Sequence, residues 1–516
     1  MKNRTAKRRP NAASRFGVWN LFLLWILASL SANAAPKNIL LIIADDYGVD
    51  SSSLYNSTNT GASLPPTPNI ASLATNGVVF GRAYANPVCS PTRSCLLTGQ
   101  DGFRTGIGDV VDNGPSLTTN AFTLPKAFTN GAPGYAFAQF GKWHLNFNPN
   151  SPRNVGGWTN YMGALPGAVP NYTNWTKTVN GVSSNNYPIY ATTDLVNDAT
   201  NWISARGTNA WFVWAAFNAP HTPLQAPPQN LCPNYPLNTL TNNRRMFEAM
   251  VEALDTEIGR LLSVVDRANT HIIFLGDNGT ATNVLQPPFP PLRGKDTLYE
   301  GGTHVPLIIS GPAVLSPNRT NATLANMVDV FATILDLAGT SVAVAVPTNV
   351  PIDGQSLLPA LQSTNTITRH AYSELFGTNI AANVGGRALR DDRFKLLRFS
   401  NGLDEFYDLQ TDPYEATNLL NGTLTATQQQ YHDRLFFWFY GYSTNSGPRI
   451  ASSAWSNAQF SCTLTQAASY ALWRCDDLAT TFWSPVTNVV ASTNGSSVTL
   501  KDVSPLATRG FYSVVK

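Results

Sequence analysis

Charge is scarce in this sequence. Of its 516 residues only 13% are Asp, Glu, Lys or Arg, about half the usual share of a soluble domain. The formal net charge is +3, and part of it comes from the basic residues at the extreme N-terminus. That balance excludes a nucleic-acid binder that grips its ligand through a broad basic face. Long apolar runs are missing beyond the N-terminus: none reaches the ~20 residues that a bilayer-spanning helix needs. Repeats of solenoid period are absent, which excludes a stacked-repeat architecture. Cysteine is sparse, and its count of five is odd, so a disulfide framework cannot use every thiol. Asn, Thr, Ser, Gly and Pro fill the space, giving a polar but weakly charged surface.

What is present begins with MKNRTAKRRP, a basic opening, followed by VWNLFLLWILASL and the small residues Ala32 to Ala34. This pattern reads as a signal peptide over residues 1–34. It predicts an exported chain, periplasmic or secreted, with no stable membrane insertion after cleavage. Export permits disulfides, and Cys462 and Cys475 are close enough in sequence to pair. Cys95 reads as a buried helix residue and Cys232 as a spare. Cys89 needs another explanation.

Along the chain, apolar runs repeatedly end in polar groups. KNILLIIADD ends in Asp45 and Asp46, and YAFAQFGKWHL ends in Lys142 and His144. NAWFVWAAFNAPH ends in His221, and THIIFLGDNG in Asp277 and Asn278. Continuous apolar runs suit strands buried on both faces of a parallel sheet, and such sheets place ligands at the strands' carboxyl ends. Between them, Met246, Met250, Leu254, Ile258, Leu261 and Val265 recur at spacings of three and four, one face of a structural helix. Strand–helix alternation predicts an α/β, doubly wound sheet over residues 35–360. RALRDDRFKLLRF and DEFYDLQTDPYEATNLL predict a smaller α+β subdomain over 361–449. The runs YALWRC, SVTLKDV and GFYSVV predict a small β-rich appendage over 450–516, where Trp473 and Trp483 read as core residues before stacking platforms.

Taken singly, these polar residues are bland. Asp-Asp after a strand is a common capping turn, GDNG is a common turn, and His271, His304, His370 and His432 read as surface or hydrogen-bonded residues. Collected at one sheet edge, they are not. Asp45, Asp46, Asp277 and Asn278 supply hard oxygen ligands that suit Ca²⁺ or Mg²⁺ rather than zinc. Arg93, Lys142, Lys295 and the two histidines add cationic groups, which together suit an anion with several oxygens. Cys89 opens the pattern C-x-P-x-R. With five cysteines, 35 prolines and 34 lysines plus arginines in 516 residues, chance would supply that pattern only about 0.02 times.

CSPTRSCLLTG, Cys89 to Gly99, resembles the signature of the type I sulfatases of the alkaline-phosphatase superfamily. GKWHL resembles their second signature, and NAPHTP carries His221. GDNG resembles their S-D-N-G with Gly276 in the place of Ser. RGKDTLYEGGTHVP resembles their G-x-K-x-x-x-x-E-G-G segment, with Lys295 in the sulfate-binding place. EFYDLQTDPYEATNL resembles their C-terminal motif. The resemblance runs over most of residues 37–420 and implies an alkaline-phosphatase-like fold and hydrolysis of aryl or carbohydrate sulfates. It also implies that a maturation enzyme converts Cys89 to formylglycine, and that Asp45, Asp46, Asp277 and Asn278 bind Ca²⁺. Arg93 and Lys142 would hold the formylglycine. Lys295 and His221 would contact the sulfate, one of them protonating the leaving oxygen, and His144 would take the proton whose removal expels sulfate. The implied partners are a sulfated small molecule or glycan and the maturation enzyme. Two departures stand out: His304 replaces an Arg found in many relatives, and one glycine is missing before Lys295. The rival readings are a phosphodiesterase or phosphonate monoester hydrolase of the same superfamily, and a catalytically dead glycan-binding protein.

Overall fold

A computed structural model of the chain describes residues 37–443, apart from 60 and 368, together with the backbone of seven short strands between 450 and 515. The predicted signal peptide, and the side chains of Cys462, Cys475, Trp473 and Trp483, lie outside the described residues.

Ten strands build the main sheet: β1 (Asn38–Ala44), β2 (Gly77–Tyr84), β3 (Ala136–Gly141), β4 (Asn160–Gly163), β5 (Trp175–Val179), β6 (Val182–Tyr187), β7 (Trp211–Ala216), β8 (Thr270–Gly276), β9 (Leu307–Ser310) and β10 (Arg319–Asn326). Their spatial order is β10-β2-β9-β8-β1-β7-β3-β4-β5-β6. The centre is parallel, with β8, β1, β7, β3 and β4 running together. On one side β9 runs antiparallel between β8 and β2, and β10 pairs β2 in parallel; on the other β5 is antiparallel to both β4 and β6. Mixed sheets of this kind are common among large α/β folds.

The central strands explain their own sequences. In β1, Ile39, Leu41 and Ile43 enter the core on one side, while Leu40, Ile42 and Ala44 enter the core on the other. Alternate residues point to opposite faces, so a strand covered on both faces must be apolar throughout. Each buried Leu or Ile is worth ~1.5–3 kcal/mol. β7 splits in the same way, with Phe212 and Trp214 on one side and Trp211 and Val213 on the other. The helix Asn243–Leu262 covers the second face with Met250, Leu254, Ile258 and Leu261, all fully buried. Its first turn is capped by the Asn242 side chain, which accepts the Arg245 N–H at 2.9 Å.

A second, four-stranded antiparallel sheet runs Ala371–Leu375, Gly386–Arg390, Phe394–Phe399 and Asp404–Asp408. One face, carrying Leu389, Phe394, Leu396 and Phe406, packs on Leu435 and Phe439 of the helix Ala426–Ser443. The other, carrying Leu375, Ala388, Leu397 and Phe399, packs on Val88 and Leu298. Val88 immediately precedes Cys89, so this sheet buttresses the turn that presents residue 89. The strands beyond residue 450 form two further antiparallel sheets, of four and three strands. No described helix is long and apolar enough to cross a membrane.

Candidate active site

The polar residues that end the central strands converge on one buried cluster. Asp45 and Asp46 follow β1 and are 0% and 2% exposed. The turn is sharp: Asp46 takes a φ of 63°, a region that non-glycine residues seldom occupy without a functional reason. Its N–H donates to Asp277 Oδ1 at 3.2 Å, which ties the end of β1 to the end of β8. Gly276 makes that approach possible. A Cβ there would lie 2.1 Å from the Tyr47 carbonyl oxygen, so no side chain has room at this position.

Cys89 is the first residue of the helix Cys89–Thr98, every residue of which is buried. A helix N-terminus favours negative charge. Burial alone would push the Cys89 thiol up, but Lys142 and Lys295, with the imidazoles of His144 and His221 beside it, hold it well below its ordinary value. Lys295 Nζ lies 3.7 Å from Cys89 Sγ and 2.6 Å from Asp46 Oδ1. One turn along the helix, Arg93 donates from Nε and Nη2 to Asp277 Oδ2, at 3.1 and 2.7 Å. Lys142 Nζ donates to Asp45 Oδ2 at 2.5 Å. Asn278 donates from Nδ2 to Asp46 Oδ1 at 2.8 Å. His221 Nε2 stands 3.8 Å from Asp46 Oδ2, and its Nδ1 donates to the Thr222 carbonyl at 2.7 Å. Burial disfavours the imidazolium of His221, but Asp46 and Asp45 outweigh it and raise its pKa to about 9.

All ten site residues singled out in the sequence therefore sit in one connected group. Two acceptors in it are buried without a partner, Asp45 Oδ1 and Asn278 Oδ1. Buried oxygens left unpaired are costly. Burial, with Asp277 next, also pushes the Asp45 carboxyl up. Acceptor oxygens facing inward, with carboxylates crowded together, are what a cation relieves. Asp45, Asp46, Cys89 and His221 each bring a ligand atom within 4.8 Å of the others, whereas Asp277 is committed to Arg93 and to the Asp46 N–H. The donor set fits an oxygen-seeking cation held mainly by Asp45, Asp46 and Asn278, with Asp277 at its edge.

Two residues of the site were not legible beforehand. Asp112 Oδ2 lies 2.6 Å from His144 Nε2. Ser90 donates from Oγ to the His144 carbonyl at 2.9 Å and accepts the Val111 N–H at 3.1 Å. The other histidines lie elsewhere. His271, read as surface or hydrogen-bonded, is buried with Nδ1 unpartnered. His304 stacks on Tyr84 at 5.1 Å and faces Glu300 at 3.5 Å, so the departure there touches a separate ionic cluster. Cys95 and Cys232 are buried free thiols.

The sulfatase family model matches residues 37–340, and the model described as N-sulphoglucosamine sulphohydrolase, C-terminal, matches residues 292–439. The N-acetylgalactosamine-6-sulfatase of Sus scrofa is 30% identical over 413 residues, spanning 71% of this chain and 74% of that protein. A sulfatase of Formosa agariphila is 27% identical over 513 residues, spanning 79% and 89%. Among solved structures, Ps i-CgsB in complex with k-i-k-neocarrahexaose aligns with a TM-score of 0.69 at 24% identity, covering 80% of this chain and 94% of that one. A protein in complex with its substrate D-glucosamine-2-N,6-O-disulfate aligns at 0.65 and 22% identity, covering 80% and 99%. Both share the fold: a large central sheet with a smaller antiparallel one.

Proposed function

This chain belongs to the sulfatase family, and from that premise we propose that it removes sulfate from carbohydrate sulfate monoesters, with residue 89 matured from cysteine to formylglycine beside a bound Ca²⁺. It is a sulfuric ester hydrolase by kinship; the substrate class, the modification and the metal are our reading. The observation that carries the reading is the setting of Cys89: fully buried at a helix N-terminus, with Lys295 at 3.7 Å and His144 and His221 against it. A plain thiol in such a place would be a nucleophile exposed to oxidation outside the cell. A hydrated aldehyde carries two hydroxyls, one to attack sulfur and one to expel the sulfate afterwards.

The charges support an anionic substrate. With a neutral residue 89, three carboxylates face three permanent cations and His221, and a divalent cation then makes the pocket net positive. When bound, Ca²⁺ supplies positive charge that stabilises the oxygen attacking sulfur. Arg93 and Lys142 hold Asp277 and Asp45 in place. In this reading Lys295 and His221, which lie beside Cys89 and Asp46, bind sulfate oxygens, and one of them protonates the departing sugar oxygen. General acid catalysis of this kind contributes roughly 10²–10⁴-fold. His144 takes the proton whose loss returns residue 89 to the aldehyde. A carbohydrate leaving group is supported by the N-acetylgalactosamine-6-sulfatase relatives and by the saccharide-bound neighbours. Export is our reading of the basic and apolar N-terminus.

A panel of sulfated mono- and oligosaccharides, scored for released sulfate with and without EDTA, tests the reading. Peptide mass spectrometry across residue 89 reports the thiol-to-aldehyde conversion. Full turnover by an enzyme whose Cys89 is an unmodified thiol, or a preference for p-nitrophenyl phosphate over p-nitrophenyl sulfate, would overturn it.

A further inference from the structure

His144 is an odd residue for a proton carrier. It is 3% exposed, its backbone is left-handed with a φ of 52°, and its Nδ1 is buried without a partner. A non-glycine residue persists in that conformation only when its surroundings over-determine it. Here they do. Its N–H donates to the Leu165 carbonyl at 3.0 Å, and its carbonyl accepts Ser90 Oγ at 2.9 Å. Its ring lies against Gly167, where a Cβ would come within 2.4 Å of Cε1 and 2.5 Å of Nε2. The ring packs on this glycine, and its Nε2 meets Asp112 Oδ2 at 2.6 Å.

Asp112 belongs to the loop after the nucleophile's helix, and the same Ser90 hydroxyl fixes both ends of the contact. Ser90 Oγ donates to His144 O and accepts the N–H of Val111, the residue before Asp112. The serine next to residue 89 thus sets the distance between carboxylate and imidazole. The charged groups around the ring are Asp112 on one side, and Cys89 and Lys142 on the other. His144 lowers the Asp112 carboxyl's pKa, chiefly through their hydrogen bond, so the partner is an ionised acceptor and Nε2 carries the proton.

Resting on the function proposed above, we infer that Asp112 is a positioning residue: its carboxylate accepts the Nε2 proton of His144, fixes that tautomer, and leaves Nδ1 as the base that faces residue 89. A carboxylate that orients a histidine acts through it without touching the reacting atoms. Asp112 is half-exposed, with 49% of its side chain accessible, so its contribution lies in the geometry of one hydrogen bond and not in packing.

The test compares Asp112→Asn and Asp112→Glu in the full-length matured enzyme. The asparagine variant should lose about 10²–10⁴-fold in kcat, with KM little changed, since ground-state binding is not touched. The glutamate variant should recover part of the loss. Independently of turnover, ¹⁵N spectra of histidine-labelled protein, with the signal assigned through His144→Gln, should show His144 as the Nε2–H tautomer in the parent and a mixture in Asp112→Asn. An asparagine variant with parental kcat and an unchanged tautomer would overturn the inference while leaving the sulfatase reading intact. So would a variant whose kcat falls only in step with its melting temperature, without rescue by glutamate. A parent that releases no sulfate would instead defeat the functional reading, and the tautomer comparison would still decide the role of Asp112.

Discussion

The cluster around Cys89 and the cluster around Glu300 are both buried groups of carboxylates and cations, yet they are built differently. At Glu300, which is 4% exposed, the partners close on one another. Lys395 Nζ lies 3.0 Å from Glu300 Oε1 and 3.0 Å from Glu415 Oε1. The Glu300 N–H donates to Glu415 Oε2 at 2.6 Å, Tyr84 donates its hydroxyl to Glu300 Oε2 at 2.8 Å, and Arg390 bonds to Tyr84. This knot joins the main sheet's side of the molecule to the second sheet, since Lys395 and Arg390 come from the latter. At Cys89 the bonds stop short. Asp45 Oδ1, Asn278 Oδ1 and His144 Nδ1 have no partner, and Asp46 and His144 are held at positive φ. The Glu300 group is not free of strain, since Glu415 is held at a φ of 59°, but its one oxygen without a hydrogen bond, Glu415 Oε1, still has the Lys395 ammonium at 3.0 Å. What separates the two is the pair of oxygens at Cys89, Asp45 Oδ1 and Asn278 Oδ1, that no group of the protein answers, an arrangement that a cation from outside would relieve.

Substitutions can break this contrast in order of size. Cys89→Ala should abolish sulfate release while leaving the melting temperature at or above the parent's, because functional sites are drawn from the destabilised part of a fold. A cooperative melt coupled to zero turnover is the pattern to look for. EDTA should bring turnover close to background and Ca²⁺ restore it, and added Ca²⁺ should raise the melting temperature by mass action. Lys395→Met should act in the opposite manner: about 3–5 kcal/mol of stability lost, because two buried carboxylates are left facing each other, with kcat/KM of the folded fraction unchanged. Urea unfolding alongside initial rates separates the two effects.

The smallest effect belongs to His271. Burial, then Lys37, lowers its pKa to about 4 from the ordinary 6.5. The folded state thus binds its proton later than the unfolded chain does. The stability that its neutral form contributes is complete above pH 6.5 and is lost as the pH falls from 6.5 towards 4. His271→Gln should reduce that acid-side loss by about 1–3 kcal/mol, read from denaturant midpoints at pH 7 and pH 4.5.

How much of this was readable in advance depended on burial. β1, β3, β7 and β8 are almost entirely apolar because both faces are covered, broken only by Asn38, Gln139, Thr270 and His271, and each leads into polar residues that share one edge of the sheet. A linear sequence displays that pattern directly. Val182–Tyr187 is exposed along most of its length, so it has no alternation to read and its place at the antiparallel flank was invisible. The direction of β9 was equally hidden, since an apolar run looks the same whichever way it pairs. Asp112 was missed for a different reason: it ends no strand, and only the glycine-flanked GDVVDNG hints at a constrained turn. Ser90 lay inside the motif itself, but a clamp between two loops is a property of three dimensions.

Gly276 has a practical corollary for anyone who would improve this enzyme by averaging its relatives. A serine there, as in the S-D-N-G that this segment resembles, would bring its Cβ within 2.1 Å of the Tyr47 carbonyl oxygen and lever the neighbouring aspartates apart. The corners at 45–47 and 276–278 are tied by the Asp46 N–H bond to Asp277 and by the close approach of Gly276 to the Tyr47 carbonyl, so a change in one is felt by the other. A graft from a cousin succeeds only if both travel together.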